Sequence, residues 1–186
     1  MASTKSILPT ITLHMVSSLD GFVAKPDQSL DWMRSQDHYE AGKVLTEEDV
    51  ADFLAGVDCY LMGARTYEQA LKLGWPYGET PVVVLTHQTR KDDRPTVSFA
   101  EGDLRTLVQN LKYQYPNIWM VGGPETARDM LQQDLIDEIN LSVMPILLGG
   151  GTPFFDQVGK EQRLHLKAVT TYQDGMVEMT YAVLKS

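Results

Sequence analysis

Apolar and polar positions change period several times along the chain, and each change predicts an element. Ile11–Ser17 is apolar and rich in β-branched residues, so it reads as a first strand. Leu19-Asp20-Gly21-Phe22-Val23 follows, and its Asp-Gly pair marks a turn out of the sheet. Residues 24–45 are polar and carry no clear period. Thr46 with Asp49 forms a capping-box pattern that opens a short helix through Phe53–Leu54 and stops at Gly56. Val57–Met62 predicts a second strand, Thr66 to about Leu73 a helix, and Pro81–Thr86 a third strand. Thr96–Phe99 reads as a short fourth strand. Asp103 caps a helix that carries Leu104, Leu107, Val108 and Leu111 on one face. Ile118–Val121 is a buried strand ending in Gly122-Gly123. Pro124 then opens a helix with Ala127, Met130 and Leu131 at helical spacing. Ile136–Leu148 is a long strand region broken by Pro145. Leu164–Tyr172 and Met176–Leu184 form a hairpin around Asp174-Gly175.

Strands therefore alternate with helices for two thirds of the chain, and antiparallel strands finish it. That order implies an α/β fold with a mostly parallel sheet and a C-terminal antiparallel edge. No linker, repeat or low-complexity stretch divides the 186 residues, so one domain with a core over about 11–184 is expected. The long excursion from Asp20 to Leu45 starts at a glycine and suits a mobile gate over a site.

Composition narrows the partners. Hydrophobic residues make up 43% of the chain, which fits a packed core and argues against disorder. The net charge is −9 and no basic patch stands out, which weighs against nucleic acid and anionic membranes. The single cysteine, Cys59, lies in an apolar run and is expected to pack inertly in the core. No apolar stretch has the length of a signal peptide or a membrane span, so a cytoplasmic protein is expected.

Three strand ends carry turns suited to a ligand: Met62-Gly63-Ala64-Arg65-Thr66, Leu85-Thr86-His87 and Val121-Gly122-Gly123-Pro124. In a parallel sheet the carboxyl ends of the strands share one edge, and ligands bind there. Two of the turns open helices, whose N-termini offer free N–H groups to phosphate. The competing reading is a plain tight turn, which also favours glycine. Other chemistries lack their motifs: there is no G-x-S-x-G, no G-x-x-x-x-G-K-[ST], no G-x-G-x-x-G and no H-E-x-x-H. The four histidines, His14, His38, His87 and His165, show no metal-ligand spacing. His14, inside a strand, reads as a satisfied structural residue, and His165 as part of the polar face of the last hairpin.

These residues carry a resemblance. Ser17-Ser18-Leu19-Asp20-Gly21-Phe22-Val23-Ala24, Leu61-Met62-Gly63-Ala64-Arg65-Thr66-Tyr67-Glu68 and Met120-Val121-Gly122-Gly123 occur in one order. Leu135-Ile136-Asp137-Glu138-Ile139 then leads to Pro145-Ile146-Leu147-Leu148-Gly149-Gly150-Gly151-Thr152-Pro153-Phe154-Phe155. Together they resemble the dihydrofolate reductase-like superfamily, in its branch related to the C-terminal reductase domain of riboflavin biosynthesis. The resemblance implies a three-layer α/β/α fold and a reductase that uses NADPH. It implies that Gly63, Ala64, Arg65 and Thr66 meet the adenosine half and the diphosphate. Leu85, Thr86 and His87 would lie along the adenine ribose. Val121, Gly122, Gly123, Pro124, Glu125 and Thr126 would cradle the diphosphate. Asp20 and Gly21 would begin the loop over the nicotinamide.

Where the family places its arginine directly after the glycine, this chain has Ala64, and Arg65 comes second. Arg65, Thr66, Thr86, His87, Thr89 and Arg90 are the donors available for a 2′-phosphate, so NADPH is expected over NADH. Asp20 and Asp37 are the candidate catalytic carboxylates, to position a ring or relay a proton. The expected reaction is hydride transfer to a small heterocycle. The candidate substrates are 5-amino-6-(5-phosphoribosylamino)uracil of riboflavin synthesis and another pterin-like ring. A nucleotide-binding protein without turnover is the reading from a different class. No metal is expected. A homodimer is expected, because Val177, Met179, Tyr181 and Val183 give a late strand one apolar face.

Overall fold

The computed structural model describes residues 8–88 and 90–185. Residues 1–7, Thr89 and Ser186 lie outside the described residues. In chain order the elements are β1 (Thr10–Ser18), β2 (Phe22–Ala24), α1 (Glu47–Ala55), β3 (Cys59–Gly63), α2 (Ala64–Lys72), β4 (Val82–Leu85), β5 (Val97–Ala100), α3 (Leu104–Gln114), β6 (Asn117–Gly122), α4 (Pro124–Gln132), β7 (Glu138–Met144), β8 (Thr152–Pro153), β9 (Leu164–Thr171) and β10 (Val177–Val183).

Eight strands form one sheet in the order β5-β4-β3-β6-β1-β7-β10-β9. The first six run parallel, and β10 pairs antiparallel with both β7 and β9. β3 is buried at every position, as expected of a parallel strand covered on both faces. Ile11, Leu13, Cys59, Leu61, Ile118 and Met120 point to one face, where Val108 and Leu111 of α3 and Ala127, Met130 and Leu131 of α4 cover them. Tyr60, Met62, Val82 and Val84 point to the other, under Tyr67 of α2. Phe53 of α1 packs on that second face against Trp119. This is the three-layer α/β/α arrangement of dihydrofolate reductase-like folds. Cys59 is fully buried, and desolvation pushes its thiol up to about 12, so it packs as a small apolar group.

The local signals land closely. Thr46 and Asp49 form a reciprocal capping box at α1, and the Asp103 carboxylate accepts from the Thr106 N–H at the start of α3. α2 starts two residues earlier than the apolar pattern suggests, because Gly63 is both the last residue of β3 and the helix N-cap. The C-terminal hairpin differs in one respect. β10 is second from the edge, with Val177, Met179 and Tyr181 half-buried, and the exposed apolar residues are Leu164, Leu166 and Val169 on the edge strand β9. No helix among the described residues is long and apolar enough to cross a membrane.

Candidate active site

One cleft of about 1230 Å³ opens at the carboxyl ends of β1, β3, β4 and β6. Its floor includes Gly63, Ala64, Arg65, Thr66, Leu85, Thr86, His87, Val121, Gly123, Pro124, Glu125 and Thr126. The candidate nucleotide residues of three separate turns thus meet in one cavity. Gly122 is not itself on the lining; it sits at φ +104°, and a Cβ there would be 3.2 Å from the Met15 side chain.

β3 and β6 are neighbours, so the two strand-to-helix turns lie side by side. A Cβ on Gly63 would sit 2.6 Å from Thr126 Oγ1, and one on Gly123 would sit 3.3 Å from Thr66 Oγ1. Each glycine makes room for the threonine three residues into the other turn, which lets the N-termini of α2 and α4 approach closely. Neither helix has a side-chain cap, whereas α1 and α3 are capped by Thr46 and Asp103. The first N–H groups of α2 and α4 are therefore left for another acceptor. Across the same junction Arg65 Nη1 donates to Glu125 Oε1 at 2.9 Å. Further along, Arg90 reaches Glu68 at 2.7 Å, and the Thr86 hydroxyl accepts from the Gln88 N–H at 3.1 Å. His87 is exposed at the cleft rim.

The two carboxylates singled out from sequence do not line the cleft. Asp20 accepts from the Ser18 hydroxyl at 2.6 Å, the Leu148 N–H at 3.0 Å and the Gly149 N–H at 2.7 Å. These bonds, led by that from Ser18, hold its carboxyl below the usual range. Asp20 thereby fastens the end of β1 to the glycine-rich segment before β8. Asp37 Oδ2 takes the space that a Cβ on Gly175 would need, so Asp37 rests on the β9–β10 turn. Asp20 thus ties β1 to the segment before β8, and Asp37 lies beside Gly175; neither is on the cleft lining. The acids that line the cleft are Glu125 and Asp129.

Of the other half of the cleft, only the excursion was read from sequence, as a gate over a site. That half is built from His14 and Val16 of β1, Leu30 and Met33 of the long excursion, and Pro76 and Tyr77. Trp32 is buried in a single 3-10 turn between Leu30 and Met33. His14, read from sequence as a satisfied structural residue, is half-buried on the cleft wall. Among the described residues no group hydrogen-bonds its ring, which lies 4.4 Å from Trp119 and 5.5 Å from Phe53. The available signal was its strand parity: Ile11 and Leu13 face the α3–α4 layer, so His14 faces the other.

Desolvation lowers the His14 pKa from 6.5 to about 4. The folded state then binds fewer protons than the unfolded chain between those values. Its stability contribution is complete above the unfolded value and is lost as pH falls toward the folded one. The limiting slope is ~1.4 kcal/mol per pH unit. For a part-exposed ring, acidifying across most of that window is expected to cost wild type about 1–2 kcal/mol more than His14→Phe, measured by urea unfolding. Equal losses in both proteins would contradict a neutral, desolvated His14.

Comparison with known proteins points the same way. Residues 9–178 match the RibD C-terminal domain family. The chain is 32% identical over 163 residues to the uncharacterized protein YwjB of Bacillus subtilis (strain 168), covering 86% of this chain and 90% of that one. Among solved structures, a Shewanella sp. PV-4 protein provisionally assigned to riboflavin biosynthesis superposes with TM-score 0.81 at 26% identity, covering 95% of this chain and 99% of that one. The diaminohydroxyphosphoribosylaminopyrimidine deaminase/5-amino-6-(5-phosphoribosylamino)uracil reductase of Thermotoga maritima shares the fold, with TM-score 0.68 at 17% identity, over 95% of this chain and 57% of its own.

Proposed function

The chain belongs to the RibD C-terminal domain family, and from that premise we propose that it is an NADPH-dependent reductase of a small heterocyclic ring. The observation that carries the reading is the pair of uncapped helix N-termini, α2 and α4, interlocked through Gly63–Thr126 and Gly123–Thr66 in one cleft. A diphosphate carries two adjacent anionic groups and fits two adjacent N-termini. Gly63, Thr66, Gly123 and Thr126 would hold it, and Arg65 or Arg90 would meet a 2′-phosphate.

Bound NADPH supplies a hydride from its nicotinamide ring. The chain's own contribution is placement and exclusion of water. β1 and the β2–β8 pair form a rigid wall, because Asp20 and the 2.8 Å bond from the Phe154 N–H to the Gly21 carbonyl tie them together. Leu30 and Met33 present apolar surface to the cleft, which lowers the local dielectric around a reacting ring.

The substrate reading follows the named relatives: an aminopyrimidine such as 5-amino-6-(5-phosphoribosylamino)uracil, or another pterin-like ring. The decisive experiment follows the loss of nicotinamide absorbance with NADPH and a panel of pyrimidines and pterins. Turnover with one of them supports a reductase. NADPH binding without oxidation by any ring would instead support a nucleotide-binding protein. The exposed apolar row on β9, Leu164, Leu166 and Val169, supports a homodimer through the C-terminal strands. Light scattering should give twice the chain mass, and a monomer mass would refute it.

A further inference from the structure

We infer that the His14 side of the cleft takes an uncharged, unphosphorylated planar ring, and that His14 recognises the ring's hydrogen-bonding edge. This rests on the reductase reading and narrows its substrate.

The first observation is how charge divides along the cleft. Its lining cations, Arg65 and Arg90, belong to the α2 turn and the segment after β4, and its lining acids to α4. Among the described residues the half built by β1, the excursion and Tyr77 contributes no lysine or arginine. Nearby lysines are engaged: Lys25 with Asp31 at 2.8 Å and Lys43 with Asp49 at 2.7 Å. Arg34, next to Met33 in the chain, is exposed and does not line the cleft. A phosphate dianion placed there would lose its hydration without a compensating charge or helix terminus.

The second observation is independent of the first. Three adjacent strands carry unpartnered polar atoms around one position of one sheet face. His14 of β1 has an unpartnered ring. Asn140 of β7 is its register partner, is 8% exposed, and its Oδ1 accepts nothing. The buried indole N–H of Trp119 on β6 donates to nothing. Buried polar groups are normally paired, but the orphaned Asn140 Oδ1 and Trp119 Nε1 do not themselves line the cleft. His14 is the member of this row that reaches the cleft wall. Held neutral by desolvation, its ring offers one donor and one acceptor. That suits the N–H and C=O edge of a lactam-type heterocycle and gives nothing to an anion. Tyr77 supplies aromatic surface for a flat ring.

The test uses a matched pair, 5-amino-6-ribosylaminouracil and its 5′-phosphate, which differ only in the charged group. Binding is read by equilibrium dialysis with and without saturating NADP+, and turnover by NADPH oxidation. The uncharged compound is expected to bind at least roughly tenfold more tightly than its phosphate ester. His14→Phe keeps a flat ring but removes both hydrogen-bonding atoms. It is expected to raise KM for the uncharged compound by roughly tenfold while leaving the Kd for NADPH unchanged. His14→Gln, which restores a donor and an acceptor, should recover part of the loss. Tighter binding of the phosphate ester, binding of neither compound, or an unchanged KM in His14→Phe would overturn the inference. Failure of NADPH to bind would sink the reductase reading separately, since ring selectivity is also measured without cofactor.

Discussion

Arg65→Ala is expected to weaken NADPH binding by roughly tenfold to a hundredfold while leaving NADH close to its wild-type affinity. A charge-assisted hydrogen bond contributes ~1.5–3 kcal/mol, and every ~1.4 kcal/mol is tenfold. The two cofactors differ only in the 2′-phosphate, so a guanidinium that reads it must separate them. In the structure Arg65 is 85% exposed on its side chain and, among the described residues, is held only by Glu125. An exposed pair of this kind contributes little to folding. The variant should therefore keep its unfolding midpoint, and the loss can be assigned to binding. Glu125→Gln supplies the converse, since it removes a carboxylate beside the proposed anion site and releases Arg65. NADPH should then bind more tightly, by calorimetric titration. Equal weakening of NADPH and NADH in Arg65→Ala would assign the 2′-phosphate elsewhere, with Arg90 as the next residue to replace.

Replacing Asp137 with alanine is expected to cost about 2–4 kcal/mol of stability without a specific change in cofactor affinity. Asp137 precedes β7 and ties three parts of the chain. Its Oδ2 accepts the Ile11 N–H at 2.8 Å and the Lys112 ammonium, and its Oδ1 accepts Lys185 at 2.7 Å. The side chain is only 22% exposed, so its loss strands a backbone donor and two cations near the start of β1. Burial by itself would raise its pKa, but hydrogen bonds from Lys112, Lys185 and the Ile11 N–H outweigh that and hold the carboxyl below its ordinary value. With a depressed folded pKa, the contribution is present above the unfolded value of about 4 and is lost as pH falls through the folded one. Acid unfolding should thus have two origins, His14 first and Asp137 at lower pH. Urea unfolding of Asp137→Ala with a change below about 1 kcal/mol would show that solvent screens the cluster.

What the sequence determined by itself was local. The Thr46–Asp49 box, the Gly63 and Gly123 turns and the Asp174-Gly175 hairpin were legible because each is decided within a few residues. The strand-helix alternation was legible for the same reason, and with it the shared edge that brings the candidate turns together. Tertiary structure decided the rest. Asp20 looks like a catalytic acid at the end of a strand, yet its partners Leu148 and Gly149 lie about 130 residues away in the chain. Arg65 meets Glu125 across 60 residues, a pairing visible only once β3 and β6 are adjacent. The insertion of β10 between β7 and β9 moved the exposed apolar row to an unexpected strand. His14 is one polar residue in an apolar run, and residue type does not say which layer covers its face. Alternation assigns a side chain to one of two faces. Only the order of strands and the helices laid over them decide whether that face is core, solvent or the wall of a cleft.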